Sequence, residues 1–409
     1  MVTALVVGGG IGGPATALAL QRVGIEPVVF EAYPPPAGDV GSYFTVTPNG
    51  LDVLRTLGLL EATRAEGIPT QQNVLWNERG QRLAAIPLGQ PRADGTVAQT
   101  LKRARLGRLL REEAQRRGIP VEFGKRIVDA IQADGRVTAR FEDGSTATGD
   151  LLVGADGVRS RTRHLIDPTA PAARYVGLVN FGGYTPDARL DAAPAAWHMV
   201  FGRRAFFGYL ADPNGGAVWF ANVPGPEISP AARAATSAEE WRRRLLDLFA
   251  GDAGPAVDLI ERGELQLAGD NTYDLPHVPR WHAGRMVLVG DAAHAPSPSS
   301  GQGASMALED AVVLARCLRQ EASVPEAFAA FEHARRERVE RIVAQGARSS
   351  SSKVPGPLGR MARDLFLRIV MPFVVTERSL AWMYDYRAGD LVLSELPPPP
   401  AREEVGLPG

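Results

Sequence analysis

A glycine cluster near the N-terminus constrains the fold more than any other feature of the sequence. It follows the apolar run Ala4–Val7 and precedes a predicted helix over residues 12–23. In such a strand–turn–helix unit, the first glycine of G-x-G-x-x-G permits the turn, the second lets the backbone approach a pyrophosphate, and the third allows close packing. The free N–H groups at the start of the helix favour a diphosphate. We expect a dinucleotide to contact this loop at Gly8, Gly10, Ile11, Gly12 and Gly13.

The end of the next apolar run specifies which dinucleotide fits. Pro27–Phe30 completes a βαβ unit and is followed directly by Glu31 and Ala32. A carboxylate at this position accepts hydrogen bonds from ribose hydroxyls and repels a 2′-phosphate. Glu31 therefore favours FAD or NAD over NADP, and Ala32 is included in the predicted site.

Two later apolar runs also end in an aspartate. Leu151–Val153 leads to Asp156 and Gly157, and a second run over residues 286–289 leads to Gly290 and Asp291. Ligands of parallel sheets bind at the carboxyl ends of the strands. Asp156 is suited either to cap the following turn or to contact a ribitol or diphosphate group. Asp291 is suited to a ribityl hydroxyl.

The segment after Asp291 has a second glycine-rich approach to a helix, which is predicted over residues 305–319. Backbone N–H groups at its start can stabilise the negative charge that a reduced flavin accumulates at its N1–C2=O edge. Three aspartate- or glycine-containing strand ends of this kind favour FAD. The predicted contacts in this segment are Gly290, Asp291, Pro298, Gly301, Gly303 and Ala304.

These motifs, together with an Arg-x-x-Leu-x-x-x-Leu pattern at Arg103, Leu106 and Leu110, resemble the class A flavoprotein monooxygenases, the para-hydroxybenzoate hydroxylase family. The resemblance covers about residues 1–345. It implies that FAD is bound non-covalently, with Arg103 near its ribityl-diphosphate region. Two features depart from the family pattern. No lysine or arginine lies between Arg22 and Arg55, and Ser305 stands where an asparagine is usual.

The resemblance also implies a reaction. NADPH or NADH would bind transiently and reduce the flavin, and molecular oxygen would then form a C4a-hydroperoxide that hydroxylates or epoxidises the substrate. The sequence contains one dinucleotide fingerprint, whereas a two-domain flavin reductase would carry a second. His294, within the Gly-Asp-Ala-Ala-His motif, is implied to be structural or to deliver a proton. A reductase or dehydrogenase of the same fold, or a protein that merely binds FAD or a hydrophobic ligand, remains an alternative.

The predicted fold is α/β, with an FAD-binding Rossmann-like (GR2-type) domain, an interleaved β-sheet substrate domain and C-terminal helices. The FAD-binding domain is predicted over residues 1–70, 101–171 and 268–346. The substrate domain is predicted over residues 71–100 and 172–267, because short alternating runs replace helical periodicity there. Residues 347–409 are predicted to contain a linker, helices and a proline-rich tail.

The predicted substrate domain is rich in aromatic residues that alternate with other side chains, as in a half-buried sheet. One face of this sheet is expected to cover an apolar pocket over the flavin, which favours an apolar aromatic or polycyclic substrate. A base that activates the substrate is not identified by the sequence. The candidate substrate contacts are Phe44, Tyr184, His198, Arg203, Phe207, Tyr209 and Trp219.

Composition excludes some other classes of protein. The chain has 409 residues with a formal net charge of −1, which does not suggest a nucleic-acid-binding protein. Cys317 is the only cysteine, so an intramolecular disulfide and a cysteine-rich zinc site are excluded, and no metal is expected. No stretch is suited to an integral membrane segment, and a cytoplasmic location is expected. Both a monomer and a homodimer are compatible with the sequence.

Overall fold

The computed structural model describes residues 2–35, 41–188, 190, 193–351 and 357–388. Its central element is a six-stranded sheet in which all neighbours are parallel except one edge pair. The apolar runs predicted from the sequence form its interior, because a parallel sheet buried on both faces requires continuous apolar strands. In sheet order, the strands are β18 (His282–Ala283), β19 (Met286–Leu288), β12 (Leu151–Gly154), β1 (Val2–Val7), β2 (Ile25–Glu31) and β8 (Val121–Phe123).

Two small sheets accompany this central sheet. One is antiparallel and contains β11 (Thr146–Gly149), β10 (Arg136–Phe141) and β9 (Ile127–Ala133). The other contains β3 (Tyr43–Val46), β7 (Gln99–Lys102) and β4 (Ile68–Pro69).

A seven-stranded sheet joins segments that are distant in the sequence. Strands from residues 72–87 pair with strands from residues 174–274, so both segments predicted to form the substrate domain contribute to one sheet. The limits of the two domains stay predictions. In sheet order, the strands are β17 (Glu264–Asp274), β13 (Arg174–Thr185), β16 (Ala217–Pro224), β15 (Phe206–Ala211), β14 (Ala196–Phe201), β5 (Gln72–Asn77) and β6 (Arg82–Pro87).

The helices lie between and around these sheets. No helix within the described ranges is long and apolar enough to cross a membrane. The helices are α1 (Gly12–Arg22), α2 (Pro48–Leu57), α3 (Leu60–Glu66), α4 (Arg103–Arg116), α5 (Arg161–Ile166), α6 (Pro230–Ala235), α7 (Ala238–Phe249), α8 (Ala256–Arg262), α9 (Gly303–Gln320), α10 (Val324–Ser351), α11 (Pro357–Ile369), α12 (Met371–Val374) and α13 (Glu377–Tyr384).

The leucines at positions 51, 54, 57 and 60 have helical spacing and predict one helix over residues 49–60, which is wrong because the structure divides the segment into α2 and α3. Gly58 follows α2 with a φ of 82°, in the left-handed conformation that ends helices. The leucines at helical spacing are buried on both sides of this break, which explains why their periodicity alone predicted one helix.

The predicted start of the linker at residue 347 is also wrong, because α10 continues through Gly346 to Ser351. A Cβ added at Gly346 would lie 3.0 Å from Cβ of Ser300. The glycine therefore permits α10 to pack against the loop that precedes α9, and it does not end the helix. The later part of the predicted linker, residues 352–356, and the proline-rich tail from residue 389 lie outside the described residues.

Candidate cofactor and active site

The glycine loop at the end of β1 combines two tightly packed glycines with an open one. A Cβ at Gly8, which has a φ of 115°, would lie 2.3 Å from the carbonyl oxygen of Ala155. A Cβ at Gly13 would lie 1.8 Å from the carbonyl oxygen of Gly8. A Cβ at Gly10 would have no heavy atom of the described residues within 4 Å. The loop thus leaves open space where a dinucleotide would approach the backbone, as its motif predicts.

Glu31 and an arginine from α4 support the same loop from both sides. The Glu31 carboxylate accepts hydrogen bonds from the backbone N–H of Gly9 (2.6 Å) and of Tyr33 (2.9 Å). Nη1 of Arg111 donates to the carbonyl oxygen of Gly9 at 2.9 Å. Burial lowers the pKa of Arg111, while the negative charge of Glu31 opposes that change. Arg111 was not predicted from the sequence, although its position two helical turns beyond Arg103 was a usable signal.

Arg103 lies at a junction between segments. It is the first residue of α4, its side chain is exposed, and its backbone N–H donates to the carbonyl oxygen of Ser42 at 3.0 Å. Phe44 lies nearby in β3, where it pairs with Leu101 and is partly buried against the main core. Ala32, just after β2, is also partly buried.

Asp156 forms hydrogen bonds within its own turn. One carboxylate oxygen accepts from Oγ of Ser160 at 2.5 Å, and the other accepts from N and Oγ1 of Thr162 at 2.9 and 3.0 Å. Gly157 follows with a φ of 78°. The carboxylate therefore caps the start of α5, which favours the structural alternative for this residue.

The Gly290–Asp291 turn meets both the glycine loop and the start of α9. A Cβ at Gly290 would lie 3.0 Å from Cβ of Ala307, and one at Gly12 would lie 3.6 Å from the same atom. A Cβ at Gly303, the first residue of α9, would lie 3.7 Å from Oδ1 of Asp291. The carboxylate and the helix N-terminus therefore share one edge. Pro298 and Gly301 are exposed in the preceding loop, and Ala304 is partly buried.

A buried cluster of charged residues lies behind this turn. Oδ2 of Asp310 accepts hydrogen bonds from the backbone N–H of Gly290 (2.8 Å) and is 2.6 Å from Nε2 of His294. Arg335 bridges two carboxylates, with Nε at 2.7 Å from Asp310 and Nη1 at 2.7 Å from Glu309. Asp310, Arg335 and Glu309 are fully buried, and His294 is 3% exposed. These contacts favour a structural role for His294.

The charge states of this cluster depend on each other. Burial alone would raise the pKa of Asp310, but the charges of His294 and Arg335 hold it well below its usual range. Burial likewise opposes the charge of Arg335, and Glu309 and Asp310 raise its pKa nevertheless. Asp310 and Arg335 are therefore both held in their charged forms, and each stabilises the charge of the other.

A chain of polar side chains connects α9 to the loop before α2. Asn49 donates to Oε1 of Gln302 at 3.0 Å and to Oε1 of Glu309 at 2.6 Å. Oγ1 of Thr47 lies 3.0 Å from Oγ of Ser305 and accepts from Nε2 of Gln302 at 2.9 Å. Ser305 thus uses its hydroxyl to hold Thr47, the residue between β3 and α2. From the sequence, Ser305 was only a departure from the family pattern, and Gln302 and Glu309 were not predicted.

Three candidate substrate residues lie on the face of the seven-stranded sheet that α7 and α8 cover. Phe207 packs against Phe249 with ring centroids 5.2 Å apart, and it also stacks on Trp219. Trp219 donates its indole N–H to Thr185 at 3.1 Å, and Tyr209 belongs to the same buried cluster. These side chains form the core between sheet and helices, which contradicts their expected contact with a substrate over the flavin.

His198 lies on this helix-covered face as well. Its Nδ1 accepts a hydrogen bond from the indole N–H of Trp76 at 3.1 Å, and its ring stacks on Tyr209 at 4.9 Å. Burial lowers the pKa of His198. A neutral, stacked and nearly fully buried ring is a core residue, so the structure does not support His198 as a base that activates the substrate.

A pH dependence follows from the lowered pKa of His198. Below about pH 6.5, the ordinary pKa of histidine, His198 takes up a proton in the unfolded chain but resists it in the folded state. The free energy of unfolding therefore decreases as the pH is lowered. We expect the free energy of unfolding to fall more steeply for the native protein than for His198→Gln between about pH 7.5 and about pH 5.5. Denaturant titrations at both pH values measure this, and equal slopes would contradict it.

The remaining two candidates lie at the ends of strands. Tyr184 donates its hydroxyl to the carbonyl oxygen of Gly215 at 2.9 Å, in the turn between β15 and β16. The exposed Arg203 lies between β14 and β15, where its backbone N–H donates to Asp252 at 3.1 Å. Both residues have structural contacts in the turns of the sheet.

The opposite face of this sheet is directed towards the FAD-binding segments. Trp197 donates its indole N–H to Oγ1 of Thr45 and of Thr100, each at 3.1 Å, and these residues belong to β3 and β7. On this face, the side chains at alternate positions of β14, β15 and β16 form a surface without charged residues. They are Trp197, Met199, Phe201, Phe206, Gly208, Leu210, Val218, Phe220 and Asn222.

The fold and the site together define a dinucleotide-binding flavoprotein, with three motif-bearing strand ends side by side in the order β19, β12, β1. Residues 1–346 match the family model described as an FAD binding domain. The chain is 33% identical to aurachin C monooxygenase/isomerase of Stigmatella aurantiaca, over 84% of this chain and 87% of that protein. It is 33% identical to salicylate hydroxylase of Pseudomonas putida, over 82% of each chain.

A solved structure agrees with these relatives. HpxO of Klebsiella pneumoniae, in complex with FAD and uric acid, superposes with a TM-score of 0.81 and 28% identity over 93% of this chain and 97% of that one. This chain therefore belongs to the FAD-dependent monooxygenase and hydroxylase family, and FAD is its cofactor. The open space at Gly10 and the position of Asp291 beside the start of α9 fit that cofactor.

Proposed function

We propose that this protein is an NAD(P)H-consuming monooxygenase that hydroxylates or epoxidises an apolar aromatic or polycyclic small molecule. The observation that carries the proposal is the uncharged sheet face directed towards the FAD-binding segments. Met199 and Phe220 on this face are only partly buried, so part of each side chain remains available to a ligand, whereas Phe201 is covered by Arg363 of α11. Apolar and aromatic side chains line most small-molecule sites and favour a ligand of similar polarity.

The residues of the FAD site have separable roles in this proposal. Glu31 and Arg111 would hold the adenosine end, and the open backbone at Gly10 would face the pyrophosphate. Asp291 would bind a ribityl hydroxyl, and the N-terminus of α9 would stabilise negative charge on the reduced ring system. Bound FAD would supply the redox chemistry, with a transient nicotinamide nucleotide as electron donor and molecular oxygen as oxidant.

The sheet face would position the substrate and exclude water from the reaction. Trp197 is fixed by Thr45 and Thr100, so its ring is a rigid part of this wall. The polar chain from Thr47 to Gln302 couples the wall to the loop before α9. Exclusion of water would prevent the activated oxygen from being lost to side reactions before it reaches the substrate. The names of the relatives, which include a salicylate hydroxylase, support a ring-containing substrate.

Oxygen uptake tests the proposed reaction. The purified protein, reconstituted with FAD, is mixed with NADH or NADPH and a panel of phenols, indoles and polyketides. A monooxygenase consumes oxygen faster when its substrate is present. Turnover that persists without oxygen indicates the reductase or dehydrogenase alternative, and failure of the whole panel to stimulate nucleotide oxidation indicates a protein that merely binds its ligand.

A charge placed on the sheet face should abolish coupled turnover. We expect Met199→Asp to lower kcat/KM for the stimulating substrate about 100-fold, because an apolar ligand would have to desolvate the carboxylate. Met199→Leu keeps the surface apolar and should retain activity within about threefold. Arg203→Ala removes a sequence-based candidate that lies in a distant turn and should have no effect. FAD absorbance monitors cofactor retention, and full activity of Met199→Asp would contradict the assignment.

A further inference from the structure

The C-terminal helices α11 and α12 expose an apolar stripe. Among the described residues, most of the exposed large hydrophobic side chains lie within residues 361–374, and Phe373 and Met361 are 82% and 72% exposed. Met361, Leu365 and Ile369 recur at a spacing of four residues, which places them on one face of α11. The other exposed members are Phe366, Val370, Phe373 and Val374. Contiguous exposed apolar surface of this kind marks a binding surface.

The inner face of α11 already packs against the sheet, so the exposed stripe is a second face of the helix. Its contacts with the sheet include charged residues. The guanidinium of Arg363 lies 4.4 Å from the ring centroid of Phe201, and Asp364 accepts a hydrogen bond from Asn77 at 3.0 Å. Leu367 is the buried apolar residue between them. The helix therefore turns Arg363 and Asp364 inwards and leaves most of its large apolar side chains exposed, unlike an ordinary surface helix.

Positive charge accompanies the stripe. Arg368 is exposed and Arg360 is partly exposed on α11. Residues 365–376 contain no aspartate or glutamate, and Asp364 is engaged by Asn77 and Arg363. An apolar stripe flanked by arginines is typical of helices that lie in the interface of an anionic bilayer.

We propose that α11 and α12 dock this protein on an anionic phospholipid surface, with the apolar stripe inserted among the acyl chains and the arginines at the phosphates. The charges favour this occupant over a second copy of the chain. A symmetric contact would pair the same patch of two chains, and residues 365–376 would bring apolar side chains and an arginine to it but no acidic partners. Phospholipid phosphates provide those partners directly.

The position of the stripe relates the docking to the supply of substrate, and this step rests on the proposed function. Leu367 and Met371 pack in one cluster with Met199 and Phe201, which belong to the substrate-facing side of the sheet. A protein held at the bilayer by α11 would keep this side of the sheet near the lipid phase. Apolar substrates partition into that phase, so docking would raise their local concentration at the site.

Vesicle flotation of the full-length FAD-loaded protein tests the docking. We expect flotation with phosphatidylcholine vesicles that contain phosphatidylglycerol, and roughly tenfold weaker binding to phosphatidylcholine alone. The double substitution Leu365→Ser with Phe373→Ser should lose most of the binding, and Arg368→Glu should lose the preference for phosphatidylglycerol. Ile131→Ser removes an equally exposed apolar side chain from β9, 62% exposed, and should bind like the native protein.

Failure of the native protein to float with either vesicle would overturn the proposal. So would a dimer in sedimentation that the double substitution converts to a monomer, because a second copy would then cover the stripe. Oxygen uptake with a water-soluble stimulating substrate and no vesicles should be unchanged in the double variant. That measurement addresses the proposed reaction separately, since flotation does not require turnover.

Discussion

Replacement of Arg335 by methionine should destabilise the protein by about 3–5 kcal/mol, because it leaves two buried carboxylates without their shared cation. Arg335, Glu309 and Asp310 are all fully buried, and Arg335 contacts both carboxylates at 2.7 Å. Because none of these three side chains has exposed surface, bulk solvent does not screen the remaining charges. Denaturant unfolding in the presence of excess FAD measures the change in the free energy of unfolding.

Two further variants distinguish charge from packing in this experiment. Arg338→Met removes a less buried partner of Glu309, which retains Arg335 and Asn49, so its effect should be smaller. Combining Arg335→Met with Glu309→Gln and Asp310→Asn removes the uncompensated charges and should recover part of the loss. Near-native stability of Arg335→Met alone would show that the two buried carboxylates do not depend on Arg335.

That three motif-bearing strand ends lie side by side was predictable from the sequence, because local chemistry defines each of them. A buried strand, a glycine at the turn and a polar residue after it occupy consecutive positions, so the meeting of β1, β12 and β19 needs only the rule for parallel sheets. The hydrogen bonds of Gly9 with Glu31, and the proximity of Asp291 to Gly303, arise from that arrangement. The resemblance to the family is likewise confirmed by the comparisons.

The side of the substrate sheet could not be chosen from the sequence. Alternation over β14, β15 and β16 shows that neighbouring side chains point to opposite faces, but it does not say which face meets the flavin. That choice is made by α7 and α8, which cover Phe207 and Trp219, and by Thr45 and Thr100, which bind Trp197. These contacts join distant segments of the chain.

Gly346 illustrates the same limit at a helix. A glycine followed by serines predicts a helix end and a linker, since glycine is favoured just beyond helices. Here the missing side chain serves a tertiary contact with Ser300. Gln302 and Glu309 were missed for a related reason, because their partner Asn49 lies in a distant segment and no local spacing indicates the contact.

Gly10→Ala should lower FAD affinity about 10- to 100-fold while leaving the stability of the apoprotein nearly unchanged. The structure separates these two effects, because a Cβ at Gly10 meets no heavy atom of the described residues within 4 Å. The added methyl group would instead occupy the space through which the pyrophosphate approaches the backbone. A tenfold loss corresponds to about 1.4 kcal/mol of binding free energy. Fluorescence titration with FAD and thermal unfolding of the apoprotein measure the two quantities.

Gly225 and Gly13 provide the matched comparisons for this experiment. Gly225 has the same open surroundings in the described structure and lies after β16, so Gly225→Ala should change neither quantity. Gly13→Ala would place a Cβ 1.8 Å from the carbonyl oxygen of Gly8, so it should lower the stability of the apoprotein as well as FAD binding. Native FAD affinity in Gly10→Ala would show that the pyrophosphate does not pass this residue, because no internal contact could compensate for a clash with the cofactor there.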